Sequence, residues 1–193
     1  SGALWQMLPD QPWQQIAQVP GDPRVQPVCT AVNGELYIWG GFYANGLQST
    51  VPTEGYRFDI STKKWSTLPA PCDAEGTPLT LTGATATLAM ENGNPEILCL
   101  GGVNKEIFLD AISGRYQLVE KENYLKRPIE WYHFNPCLLR FDVNQGNWIS
   151  KPISHPAFAR AGAQVISHGD SFYYIGGELK PSVRTAEIIY FRK

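Results

Sequence analysis

Three unbroken apolar runs along the chain each end in a pair of glycines: LYIWGG closing at Gly41, ILCLGG at Gly102 and FYYIGG at Gly177. Short apolar runs rich in β-branched and aromatic residues and bounded by turn formers read as buried strands, so one strand position is met three times. A second pattern follows the first two pairs. In YRFDISTKKW, Phe58 stands seven residues before Trp65, and in LRFDVNQGNW, Phe141 stands seven residues before Trp148. Upstream, Trp13 in PWQQIAQVP occupies the place that Trp65 holds in KWSTLPAP, a separation of 52 residues. The second repeat is longer than the first by about 22 residues between its glycine pair and its Trp. Within that excess, SGRYQLVEKENYLKRP sets Tyr116, Leu118 and Val119 with Tyr124 and Leu125 among charges and stops at Pro128, which predicts a short amphipathic helix.

A period near ~50 residues is that of a kelch repeat, in which each repeat forms one four-stranded blade. A blade cannot bury both faces by itself, so repetition is a requirement of burial. Paired glycines let the backbone turn and approach a neighbour without a Cβ clash, and the Trp and Phe positions fill the space between blades. The expected fold class is all-β: a kelch-type β-propeller segment over 1–193 with about three blades' worth of antiparallel sheet. Residues 5–19 are expected as the outer strand of an incomplete blade, and 28–70 as a full blade. A second blade is expected over 83–153, with its helical insertion at about 103–133, and 162–192 as a blade lacking its fourth strand. Known rings have about 4 to 8 blades, so three are too few, and the segment is expected to be half of a six-bladed ring. The remaining blades would come from an upstream half of the chain or from a second copy in a homodimer.

With 16 basic and 18 acidic side chains the net charge is −2, so no field draws phosphate backbones or anionic lipid, and nucleic acid and membrane surfaces drop out as partners. An apolar content of 43% with 18% charged residues fits a folded chain rather than a solvated one. No stretch approaches the ~20 apolar residues of a spanning helix, and the start SGALWQMLPDQ lacks signal-peptide features. Cys29, Cys72, Cys99 and Cys137 form no CxxC, so they read as thiols packed like small hydrophobes. His133, His155 and His168 have no metal-ligand spacing, and no phosphate loop or nucleophile elbow is present. No metal and no cofactor is expected.

The chain resembles the sialic acid mutarotases, or N-acetylneuraminate epimerases, a family of six-bladed kelch propellers. The matching pieces are WQQIAQVPGDPR, GELYIWGG, GGVNKEIF, FNPCLLRFD and IGGELKPSVRT, in the family's order and over nearly the whole chain. Some members have a cyclically permuted blade order, and this chain looks like the carboxyl half of such a member. The resemblance implies an isomerase that interconverts the α and β anomers of N-acetylneuraminic acid, acting in the periplasm or outside the cell.

The resemblance also implies that Glu178 and Arg184, in the loop GGELKPSVRT, match the family's catalytic pair. The chemistry of the residues agrees. Opening a hemiketal removes a proton from the anomeric hydroxyl and delivers one to the ring oxygen, work that one carboxylate can do. A guanidinium holds the substrate's carboxylate by two parallel hydrogen bonds. Arg24 in PGDPR, Asn104 in GGVN and Arg160 in FARAG adjoin inner strands and are expected to bind substrate, as is Lys180 beside Glu178. Tyr132 and Trp131 are candidates for stacking on the sugar, with core packing as their ordinary role. The competing reading is a non-catalytic kelch propeller that grips a protein or glycan partner with its loops.

Overall fold

The computed structural model describes residues 2–192. The chain opens with strands β1 (Ala3–Gln6) and β2 (Gln14–Gln18), an antiparallel pair. A single outer strand was expected over 5–19. The segment LPDQP bends it in two: Asp10 takes φ 60°, and the Gln11 N–H donates to the Leu8 carbonyl at 3.1 Å, the turn chemistry that Pro and Asp favour.

The first full blade is a meander of β3 (Val25–Val32), β4 (Glu35–Phe42), β5 (Gly55–Asp59) and β6 (Lys64–Leu68), hydrogen-bonded in that order. The second comprises β7 (Thr85–Glu91), β8 (Asn94–Leu100), β9 (Cys137–Asp142) and β10 (Asn147–Trp148), with β11 (Ile153–Ser154) also paired to β9. The third holds β12 (Gln164–His168) and β13 (Ser171–Ile175). A small hairpin follows, β14 (Glu178–Lys180) with β15 (Val183–Arg184), before β16 (Ile188–Arg192) closes on β13. The chain is thus a partial β-propeller of antiparallel sheets.

Alternation along the second strand of each blade explains the stacking. Tyr37 and Trp39 of β4 share a core with Ile97 and Cys99 of β8 and with Phe141, the Trp39 and Phe141 rings meeting edge-on at 4.9 Å. The opposite face of β8, Leu98 and Leu100, shares a second core with Phe172 and Tyr174 of β13. Tyr37 and Leu98, each three residues before its glycine pair, are 1% and 0% exposed. Their counterpart Tyr173 is 37% exposed and lies in one cross-strand row with exposed Ile166 and Tyr190.

The blades are also tied at their inner strands, where β7 lies between β3 and β12. The Gly162 N–H donates to the Gly83 carbonyl at 2.7 Å, and the Gly83 N–H donates to the Gln26 carbonyl at 3.2 Å. The paired glycines serve the same packing. Gly40 has φ 63°, and a Cβ there would stand 2.5 Å from the Leu81 carbonyl carbon of the next blade. At Gly101 it would collide with the Arg160 carbonyl oxygen, whereas at Gly176 the nearest atom is Thr185 O of its own blade at 3.5 Å.

The helix of the insertion is not where the pattern SGRYQLVEKENYLKRP put it. Helix α1 spans Lys105–Ile112, and the predicted segment holds only one turn, α2 (Lys121–Tyr124). Asp110 decides this, since its carboxylate accepts the N–H groups of Gln117 and Leu118 at 3.0 Å each. A side chain that takes up backbone donors in this way favours a folded loop over a continuing helix. A 3-10 turn over Ile129–Tyr132 leads back to β9.

Candidate active site

The β14–β15 hairpin sets Glu178 and Arg184 directly opposite one another. Pro181 and Ser182 form its two-residue turn, with Ser182 at φ 68°, the left-handed second position of a type II turn, which accepts Pro first. The Glu178 N–H donates to the Ala161 carbonyl at 2.7 Å, and the Ala161 N–H donates back to the Glu178 carbonyl at 3.0 Å. The backbone of Glu178 is thereby bolted to the strip of chain that enters β12. Its side chain is 31% exposed and meets the 80% exposed Arg184 at 3.3 Å. An ion pair of that exposure is worth about 0–1 kcal/mol, so Arg184 is free to exchange this partner for another carboxylate.

Both residues line a cleft of about 510 Å³. Gln26 and Gly162, from the tie between blades, also border it. The insertion supplies an apolar wall that includes Phe108 of α1, Tyr116, Tyr124 and Tyr132. Tyr124 packs edge-on against Tyr116 and Tyr132 with ring centres 6.0 and 5.5 Å apart. Burial pushes the Tyr124 phenol up to about 12, reinforced by the neighbouring Tyr132, Tyr116 and Asp110, so it stays a neutral hydrogen-bond donor at ordinary pH. A charged pair facing an aromatic wall suits a ligand with an anionic end and an apolar edge.

Asn104 also lines this cleft, and it caps α1, its Oδ1 accepting the Ile107 N–H at 3.1 Å. The other expected contacts have different roles. Arg24 donates to the Gly40 carbonyl at 2.8 Å and to Glu54 Oε1 at 2.9 Å, and lies over the Tyr56 ring. Arg160 repeats the arrangement one blade pair later, donating to the Gly176 carbonyl at 3.0 Å and to Glu187 Oε2 at 2.8 Å, over the Tyr174 ring. Their side chains are 5% and 1% exposed. Each arginine fastens the first carbonyl of a glycine pair, a job done in the second blade by the Asn135 side-chain amide, which donates to the Gly101 carbonyl at 3.0 Å. Arg24 and Arg160 are thus buried, each bonded to a glycine carbonyl and a glutamate of its own blade. Lys180 reaches the insertion: its ammonium donates to the Leu125 and Arg127 carbonyls at 3.0 and 2.6 Å. Tyr132 is buried and borders the cleft, while Trp131 packs on Tyr124 with ring centres 6.2 Å apart.

Gln26, Phe108, Tyr116 and Tyr124 line the cleft without having been singled out as site residues. The legible signal was the density of aromatic residues between 108 and 134, which marks an insertion with its own packed face.

The comparisons with known proteins follow the same course along the chain. The N-acetylneuraminate epimerase family model matches residues 6–192. An N-acetylneuraminate epimerase of Yersinia pestis (strain Pestoides F) is 33% identical over 187 residues, covering 91% of this chain and 45% of the relative. One of Haemophilus influenzae (strain PittEE) is 30% identical, covering 93% and 48%, and one of Escherichia coli O139:H28 is 31% identical, covering 96% and 51%. A solved structure described as "Structure of YjhT" matches with a TM-score of 0.79 at 27% identity, over 99% of this chain and 56% of that one. The chain spans about half the length of the curated relatives it matches. Because the family's pattern runs from the first hairpin through the Glu178–Arg184 loop to the last strand, the chain belongs to the N-acetylneuraminate epimerase family.

Proposed function

We propose that this chain forms the catalytic part of a mutarotase that interconverts the α and β anomers of N-acetylneuraminic acid. The observation that carries the reading is the meeting of Glu178 and Arg184 in the lining of an aromatic-walled cleft. Arg184 exchanges its weak pair with Glu178 for the substrate carboxylate, which sits on the anomeric carbon. Glu178, released, takes the proton of the anomeric hydroxyl as the bond from anomeric carbon to ring oxygen breaks, and hands that proton to the departing ring oxygen. The open-chain ketone turns its other face, and the same steps in reverse close the ring. No proton is gained or lost overall, so one carboxylate serves as base and acid in turn.

The proposal includes the assembly and the place of action. The uncovered row of Ile166, Tyr173 and Tyr190 is packed by further blades, carried by the same polypeptide or by a second copy. The enzyme acts in the periplasm or outside the cell, as the family resemblance implies.

The test is a proton NMR time course of freshly released α anomer with the fully assembled protein. Glu178→Gln is expected to lower the catalysed rate by about 10²–10⁴-fold, with the circular dichroism spectrum unchanged. A variant rate equal to that of the unsubstituted protein removes Glu178 from this role. An unsubstituted protein no faster than spontaneous anomerisation favours the non-catalytic binding propeller instead.

A further inference from the structure

We propose that Lys180 is a positioning residue: it latches the Glu178–Arg184 hairpin to the helical insertion, holding the acid–base pair and the tyrosine wall at a fixed spacing across the cleft. The inference rests on the mutarotase reading, since it concerns the geometry of that site.

The latch follows from what α2 lacks. A helix leaves its last carbonyls short of partners, and past the single turn Lys121–Tyr124 the C-cap Leu125 and the following Arg127 present theirs outward. Two side chains from outside supply the donors. The Tyr132 hydroxyl donates to the Tyr124 carbonyl, and the Lys180 ammonium donates to those of Leu125 and Arg127. An ammonium has three donors and no acceptor, so two of its three are committed here. The same ammonium stands 5.9 Å from the centre of the Tyr132 ring, within range of attraction to the ring face. Tyr132, in turn, is 1% exposed and borders the cleft.

Lys180 thus joins two segments that are 53 to 55 residues apart in sequence. On one side it belongs to the strand that begins with Glu178, and the Pro181–Ser182 turn makes the hairpin move as a unit. On the other side it grips the end of the helix whose last residue, Tyr124, lines the cleft. Release of the grip lets the two walls drift apart without disturbing the blade cores, because neither core includes Lys180 or α2. A displacement of ~1 Å between reacting groups can cost ~10²-fold in rate.

The experiment uses the fully assembled protein and the same anomerisation assay, with Lys180→Met, Lys180→Gln and Lys180→Arg. Met and Gln are expected to lower kcat about 10- to 100-fold, with KM changed less than about threefold. Arg, which can offer two N–H groups to the two carbonyls, is expected to recover most of the loss. Amide hydrogen exchange over 121–127 should quicken in the Met variant while β8 and β13 stay protected. A raised KM with unchanged kcat would make Lys180 a substrate contact and overturn the latch. So would unchanged kinetics, or global unfolding of both Met and Gln variants. If Glu178→Gln is inactive while Lys180→Met is normal, the latch alone fails. If Glu178→Gln is fully active, the role of Glu178 fails; if the unsubstituted protein does not speed anomerisation, the mutarotase assignment fails; in both cases the exchange measurement still decides whether the latch exists.

Discussion

Tyr37 and Tyr124 hold their phenolic protons up to about 12, above the ordinary value of 10.0, and burial is the first cause at both. At Tyr37 a second cause is the Glu35 carboxylate, which accepts its hydroxyl at 2.7 Å. Tyr174 is pushed up further by its burial. The sign of the linkage follows from the raised values. Below pH 10 both the folded and the unfolded chain keep these protons, so the contribution is intact there. As pH rises from 10 toward 12 the unfolded chain releases protons that the folded one retains, and stability falls. Phenolate absorbance followed together with near-ultraviolet circular dichroism checks this. The buried tyrosines are expected to ionise in step with unfolding, and a single titration of all nine tyrosines near pH 10 with the fold intact would contradict it. At this scale the structure brings together Glu178 and Arg184, the pair that the family resemblance implies, and ties Arg24 and Arg160 to backbone carbonyls. A guanidinium near an inner strand reads the same in sequence whether it meets a ligand or a backbone carbonyl. Only the carbonyls of Gly40 and Gly176 at 2.8 and 3.0 Å distinguish the two.

Among the elements, the three glycine pairs look alike in sequence and differ in surroundings. All three first glycines are left-handed, at φ 63°, 72° and 64° for Gly40, Gly101 and Gly176. Alanine in that region costs about 1–2 kcal/mol. At Gly101 the new Cβ also strikes the Arg160 carbonyl of the neighbouring blade, and strain in a packed interface adds about 1–3 kcal/mol. Denaturant titration of this chain is therefore expected to rank Gly101→Ala well below Gly176→Ala in stability. Equal losses would mean that backbone conformation alone, and not the contact between blades, dictates the glycine. The strand runs were legible because apolar periodicity is a local signal. The helix of the insertion was misplaced because Asp110, seven and eight residues before the N–H groups it binds, redirects the chain through a side-chain contact that periodicity does not encode.

For the whole molecule, the phase of burial identifies two unfinished faces. Tyr173 is exposed where Tyr37 and Leu98 are sealed, and Cys29 and Ala31 are exposed on β3 while Val28 and Val32, on its other face, join the first core. Cys29 is thus the exception to the expectation of thiols packed as small hydrophobes. If further blades complete the ring, both faces close. A maleimide reagent should then label Cys29 readily in this chain alone and slowly in the assembled protein, with Cys99, at 0% exposure, unreactive in both. Equal labelling of Cys29 in the two forms would show that no blade packs there.

The sequence by itself determined the repeat, the strand that ends in each glycine pair and the all-β class. Each of these is written in residues close together along the chain, where pattern and turn chemistry act. Only the tertiary structure decided that Arg24 and Arg160 fasten blades, that Lys180 reaches back to Leu125 and Arg127, and that Phe108, Tyr116 and Tyr124 face Glu178 across a cleft. Those outcomes depend on which distant segments compete for the same carbonyl or the same apolar surface, and that competition is settled by packing in space.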